Sequence, residues 1–104
     1  MQQVVLLYNP EYEVRPISPE DWTKLVSLFP DGAPRLVAEE FHRRNNQPIG
    51  FSWMRTMTPW FPARIQSTMN AKFKVNKLPY RLMTTYEGDN YIIAQKRVEE
   101  PTEK

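Results

Sequence analysis

Residues 18–22 carry the signals of a helix start. The helix that follows must pack one apolar face against the rest of this chain of 104 residues, which limits the possible folds. Ser18 is a residue type that caps helix N-termini, and Pro19 suits the first helical position. Two acidic residues come next, where they favour the positive end of the helix dipole. Apolar side chains then recur at helical spacing, at Trp22, Leu25, Val26 and Phe29. The pattern therefore predicts an amphipathic helix over residues 19–29 with one face available to a core.

Most of the other predicted elements are short strands. Residues 3–8 and 12–17 predict strands, and about 34–44 predicts a second helix, although Leu36-Val37 would also suit a strand. Alternation predicts strands over 51–57 and 71–76, whereas Pro59 and Pro62 exclude a continuous helix or a central strand from 58–70. Residues 80–86 and 91–98 predict a β-hairpin around the turn 87–90.

These elements predict a small single domain of the α+β class. One or two helices would pack on an antiparallel sheet of about four or five strands that ends in a β-hairpin. The domain is expected to cover residues 1–98, since neither a repeat nor a second domain is visible. Residues 99–104 have nothing apolar to bury and predict a disordered acidic tail.

The composition indicates a soluble protein of a reducing compartment. The chain has no cysteine, which excludes disulfides and thiolate metal sites. The longest apolar run near the start, residues 4–8, is far short of the roughly 20 residues that span a bilayer. The start also lacks the pattern of a signal peptide. We therefore expect no membrane association and a cytoplasmic or other reducing intracellular location.

Catalysis is not expected from these residue types. There is one histidine, His42, and a surface histidine is a simpler interpretation than a catalytic base. The three glycines are too far apart to form a phosphate-binding loop, and no metal-ligand spacing is present. We predict a non-catalytic binding protein with no catalytic residues, no metal and no cofactor.

The charge is strongly polarised along the chain. Residues 1–40 hold three basic and seven acidic side chains, whereas residues 41–86 hold eight cations and no carboxylate. Cations displace counterions from phosphates, and aromatic rings stack on bases, so segment 43–81 predicts contact with nucleic acid or a ribonucleoprotein. Alternatively, the acid-free segment faces the acidic first 40 residues, and the aromatics belong to the core. The predicted phosphate contacts are Arg43, Arg44, Arg55, Arg64, Lys72, Lys74, Lys77 and Arg81, with Trp53 or Trp60 stacking on bases.

A second hypothesis rests on residues 58–64, Thr-Pro-Trp-Phe-Pro-Ala-Arg. Two large aromatics between prolines form a stiff segment, and tryptophan and arginine are favoured at interface hot spots. Trp60, Phe61 and Arg64 would then be the interface of a protein-interaction module, such as an accessory subunit or an inhibitor of a partner protein. The simpler alternative is a loop that folds over one end of the sheet and covers the core.

A loose resemblance to a known domain also favours the protein-interaction hypothesis. Residues 12–14, 22–29 and 34–37 (Tyr-Glu-Val, Trp-Thr-Lys-Leu-Val-Ser-Leu-Phe and Pro-Arg-Leu-Val) are similar to part of the domain that precedes many ubiquitin-specific proteases. That domain is a non-catalytic interaction module, so the resemblance implies protein binding. It covers about a third of the chain, and the rest of the domain's pattern is missing, so no family is assigned.

Overall fold

The computed structural model describes residues 11–85 and 87–97 of the chain. This part contains four helices and four strands, which confirms the α+β class. In chain order they are β1 (Tyr12–Glu13), α1 (Pro19–Ser27), α2 (Gly32–Arg43), β2 (Ile49–Gly50), α3 (Phe51–Met57), α4 (Pro62–Val75), β3 (Tyr80–Thr84) and β4 (Asn90–Lys96).

Strand β4 is the centre of an antiparallel sheet. Strand β3 pairs with it along one edge in a hairpin, where Leu82 lies opposite Ile93. Strands β1 and β2 share the other edge: β1 pairs near the end of β4 at Gln95, and β2 pairs near its beginning at Tyr91. The middle of that second edge therefore lies between β1 and β2 and pairs with neither of them.

The side chain of Asn46 occupies this gap. Its Nδ2 donates to the carbonyl of Ile93 at 2.9 Å, and its Oδ1 accepts from the Ile93 amide at 3.1 Å. Asn46 follows the end of α2 with a φ of 65°, in the left-handed region that asparagine tolerates better than most residues. The end of α2 is thereby joined to the centre of the sheet.

The core lies between the four helices and one face of the hairpin. Each helix contributes at least one side chain with no exposed surface, and so do the two opposed hairpin residues. Burial of each such apolar side chain contributes roughly 1.5–3 kcal/mol to folding. The fully buried residues that represent these elements are Leu25 in α1, Phe41 in α2, Met54 in α3, Phe73 in α4, Leu82 in β3 and Ile93 in β4.

The elements with explicit end signals are confirmed. In α1 the Ser18 Oγ accepts from the Asp21 amide at 3.2 Å, and Pro19 is the first helical residue. The second helix and the hairpin lie where the pattern places them, and the predicted strand 12–17 is shortened to Tyr12–Glu13. The predicted strand 3–8, the tail 99–104 and residues 86 and 98 of the hairpin lie outside the described residues.

Two predicted strands are helices instead. Residues 51–57 form α3, and residues 71–76 belong to the last turn and C-cap of α4. Pro62 does not interrupt α4, because it is the first helical residue, where the missing N–H has no partner to lose. A strand would place Phe73 and Val75 on one face, yet Phe73 is fully buried and Val75 is 77% exposed.

Candidate functional site

The turn between α3 and α4, residues 57–64, is named here the α3–α4 corner. It is held by Thr58, a buried residue whose Oγ1 donates to the Met54 carbonyl at 2.9 Å and accepts from the Trp60 amide at 3.1 Å. Pro59 and Pro62 restrict the backbone on either side of Trp60. The corner is therefore an ordered turn with a fixed shape, although it is neither helix nor strand between residues 58 and 61.

This corner presents large apolar side chains to solvent. Phe61 is 73% exposed and Met57 is 52% exposed. The backbone carbonyl of Phe61 accepts the first amide bonds of α4, from Arg64 at 3.0 Å and from Ile65 at 3.2 Å. The residue is thus fixed by its backbone while its ring stays in solvent.

Trp60 is less exposed than Phe61 and Met57. Its side chain is half-buried and packs against the core cluster. The Arg64 guanidinium lies over the Trp60 ring, 3.8 Å from the ring centroid, a cation–π geometry that also shields the ring face. Trp60, Phe61 and Arg64, predicted together as an interface, do lie together, but Phe61 is more exposed than Trp60. Met57 was missed, because residues 51–57 were predicted as a strand and the predicted interface segment began at residue 58.

The electrostatic environment of the corner is positive. Arg55, in the last turn of α3, is exposed and has no acidic partner within residues 11–85 and 87–97. Arg64 adds a second cation, and the sequence contains no carboxylate from residue 41 to residue 86. The corner is therefore an apolar surface flanked by two arginines.

The eight predicted phosphate contacts have different surroundings in the fold. Arg43 and Arg44 both bind the nearly buried carboxylate of Glu40, through Nη2 at 2.5 Å and Nε at 2.6 Å. The side-chain hydrogen bond from Arg43 is the largest cause that lowers the pKa of Glu40; burial opposes it, and Arg44 adds to it. Two cations of the basic segment are thus paired with Glu40, the last of the acidic first 40 residues.

Two further predicted contacts are occupied within the fold. Arg81 lies over the ring of Tyr12, with its guanidinium carbon 5.4 Å from the centroid. Trp53 is half-buried against the core, with Arg44 5.6 Å from its ring centroid. These contacts leave Trp53 less suited to stacking on a base than an exposed ring would be.

Three lysines remain at the end of α4. Lys72 and Lys74 lie in its last turn, and Lys77 follows the helix with a φ of 58°; all three are exposed without an acidic partner among the described residues. Lys72 and Lys74 are two helical positions apart, so they diverge by about 200° around the axis. The strand predicted over 71–76 would have placed both lysines on one face, and the helix does not.

The described residues offer few groups suited to catalysis or to metal binding. His42 is exposed, and its ring stacks on that of Trp22 at a centroid distance of 5.0 Å. Among the described residues, no group of three or more histidine, aspartate or glutamate side chains is arranged to hold a metal ion. None of the helices in this part of the chain has the length and apolar character needed to cross a membrane.

A groove of about 250 Å³ lies where α4 borders the outer edge of β3, and it is named here the β3 groove. Polar groups from both elements face it, including two side-chain amides of α4. Its lining residues are Gln66, Asn70, Arg81, Leu82, Met83 and Thr84.

Comparison with known proteins assigns no relative. The chain matches no protein-family model, and neither curated proteins nor solved structures include a match to it. The resemblance of residues 12–37 to the domain of ubiquitin-specific proteases therefore rests on its own residues alone.

Proposed function

We propose that this chain is a protein-interaction module that docks through the α3–α4 corner. The observation that carries the proposal is the exposure of Phe61, 73%, on a turn fixed by Thr58 and two prolines. Burial of a phenylalanine side chain contributes roughly 1.5–3 kcal/mol. Because the backbone of this turn is already fixed, binding has to order only the side chain, so more of this free energy is available for association.

The partner that fits the corner is a protein with a concave apolar pocket flanked by carboxylates. Phe61 and Met57 would enter the pocket, since aromatic residues and methionine are enriched at interfaces. Arg55 and Arg64 would lie at its rim, where opposite charge favours encounter and orientation more than affinity. The absence of acidic residues from 41 to 86 removes repulsion against such a partner.

A photo-crosslinking amino acid at position 61 tests this proposal. The same probe at position 75 is the matched control, because Val75 is as exposed as Phe61 but lies at the far end of the same helix. We expect a protein that crosslinks from position 61 and not from position 75.

The purified partner then permits a quantitative comparison. Phe61→Ala should weaken binding by about 30-fold or more, the effect of a hot spot, whereas Val75→Ala should leave it within about twofold. Raising the salt concentration should change the affinity only modestly, because apolar burial dominates. Equal effects of the two substitutions, or a partner that crosslinks equally from both positions, would contradict the docking site.

A second candidate function, contact with nucleic acid, is favoured by one specific observation. Lys77 has a φ of 58°, which costs a non-glycine residue roughly 1–2 kcal/mol. A lysine in this position, beside Lys72 and Lys74, suggests that its charge is useful. A lysine near a helix C-terminus also stabilises the helix dipole, which explains the same residues without any ligand.

Fluorescence anisotropy with short single-stranded and duplex oligonucleotides tests the second candidate. Three phosphate contacts predict a slope of log K against log salt of about −2 to −3. Lys77→Gly removes one charge while relaxing the backbone, so weaker binding of this variant cannot be attributed to misfolding. Absence of binding at low salt would remove the nucleic-acid hypothesis.

The remaining expectations belong to the same proposal. A docking or nucleic-acid-binding role requires no catalytic residue, cofactor or metal ion from the chain. The lack of cysteine is compatible with a cytoplasmic or other reducing compartment, which is the location we propose. An imaging experiment with the tagged full chain tests the location directly.

A further inference from the structure

The outer edge of β3 is partly covered by side chains of α4. Asn70 Oδ1 accepts from the Leu82 amide at 2.7 Å, and Asn70 Nδ2 donates to the Leu82 carbonyl at 3.2 Å. Gln66 Nε2 donates to the same carbonyl at 3.0 Å. Both backbone groups that Leu82 directs away from β4 therefore have partners.

The Asn70 side chain takes the place of a strand residue at this edge. In an antiparallel ladder, every second pair of opposed residues exchanges one N–H···O bond in each direction, and the residues between them direct both backbone groups away from that partner strand. A side-chain amide offers the same donor and acceptor, and Asn46 uses them in the same way on Ile93 at the opposite edge. Since Leu82 and Ile93 are register partners, the two asparagines lie at the ends of one row across the sheet.

Within the described part of the chain, the side chains of α4 bond the backbone of β3 at Leu82 and at no other residue. The bond from the Lys96 amide to the Pro79 carbonyl and that from the Thr85 amide to the Asn90 carbonyl fix which residues of β3 bond to β4. Backbone groups alternate in direction, so those of Tyr80 and Thr84 point outward, as those of Leu82 do. The β3 groove lies beside this edge, at Leu82 and Thr84.

We propose that Asn70 prevents β3 from pairing with β3 of a second copy of this chain. An antiparallel pair about Leu82 would exchange, between the two leucines, the same two bonds that Asn70 now makes. In that register Tyr80 lies opposite Thr84 and Arg81 lies opposite Met83, so no like charges meet. Unpaired strand edges are templates for such association, and proteins commonly cover them. This surface is distinct from the α3–α4 corner, and the inference does not rest on docking there.

Removal of the Asn70 side-chain amide tests the inference. We expect the native protein to be monomeric and Asn70→Ala to approach twice the native mass of 12.4 kDa as its concentration rises, measured by light scattering after gel filtration. Asn76→Ala is the matched control, because the Asn76 side chain, at the C-cap of α4, donates to the Lys72 carbonyl of that helix at 2.8 Å and does not bond β3. This control should remain monomeric.

A double variant identifies the surface. Thr84→Pro removes an outward N–H that the β3–β3 pair needs and that pairing with β4 does not use, and proline is tolerated on edge strands. Asn70→Ala combined with Thr84→Pro should therefore return to the monomer. A folded Asn70→Ala variant that stays monomeric at high concentration, which is also the result expected if the edge takes only an extended peptide, would overturn the inference. Association of the double variant to the same extent would do so as well.

If Asn70→Ala does not fold, hydrogen exchange on the native protein tests whether Asn70 protects the edge of β3. The Leu82 amide should exchange much more slowly than the Thr84 amide, because only Leu82 is bonded by Asn70. Equal exchange of the two amides would show that Asn70 does not protect the edge, and the inference would then be wrong.

Discussion

Asn46 completes the backbone hydrogen bonding of Ile93 with its side chain alone, at 3.1 Å from the Ile93 amide and 2.9 Å from the Ile93 carbonyl. The residue is buried, and it stands immediately after the turn that ends α2. One side chain therefore fixes the position of a helix end and supplies the missing middle of a sheet edge.

Substitution of Asn46 should be among the most destabilising changes outside the apolar core. Asn46→Gly keeps the left-handed backbone accessible but leaves the Ile93 amide and carbonyl without partners. We expect a loss of roughly 2–4 kcal/mol in the free energy of unfolding, because each buried group that loses its bond costs about 1–3 kcal/mol. Urea denaturation measures it. Asn45→Gly, at an exposed left-handed position next to it, is the control and should be neutral or slightly stabilising.

Glu40 predicts a pH dependence of stability with a definite sign. Because its pKa is lowered in the folded protein, its contribution is complete above the unfolded pKa, about 4.3, and is lost as the pH falls through the folded value. Glu40→Gln should cost about 1–2 kcal/mol near neutral pH, since both arginine partners are partly in solvent. The difference between the two proteins should shrink below about pH 4. A difference that is unchanged down to pH 2 would contradict this account.

Thr58→Val should loosen the α3–α4 corner without changing its volume. The buried hydroxyl bonds both the Met54 carbonyl and the Trp60 amide, so its loss should cost about 1–2 kcal/mol. Thr56→Val, at an exposed site two residues earlier on α3, should change stability by no more than about 0.5 kcal/mol. Thermal unfolding followed by tryptophan fluorescence compares the two variants. If docking uses the corner, Thr58→Val should also weaken partner binding more than Thr56→Val does.

Lys77→Gly should stabilise the protein by about 1 kcal/mol. The Lys77 backbone is left-handed, and the Leu78 amide bonds the Phe73 carbonyl at 2.9 Å in the arrangement that closes many helices with glycine. Lys74→Gly, within the last turn, should instead cost about 1 kcal/mol, because glycine is unfavourable inside a helix. Chemical denaturation of both variants gives opposite signs if the helix ends where the structure places it.

The sequence allowed prediction of elements that carry their own end signals. Ser18 and Pro19 determine the start of α1, and the Glu87–Asn90 turn marks the hairpin. The alternation at 71–76 misled because it is only six residues long and fits either period. Reading back from Phe73 to Met69 and Ile65 gives a continuous helical spacing, but only if Pro62 is taken as the start of a helix.

Parts of the surface could not be predicted in the same way. The prolines of residues 58–64 predicted a stiff segment. Which of its two aromatic rings is exposed, Phe61 or Trp60, depends on how α4 packs. The eight cations looked equivalent along the chain, yet Glu40 binds two of them. The roles of Asn46 and Asn70 depend on partners 47 and 12 residues away, which no local pattern encodes.

The pairing of the strands has a consequence for biosynthesis. In the described part of the chain, β1, β2 and β3 each pair with β4 and not with one another. On the ribosome, all four helices and three strands are therefore complete before any sheet can form. The helices can pack on one another earlier, but the core side chains that contact β4 stay uncovered on that side until residue 96 has left the exit tunnel.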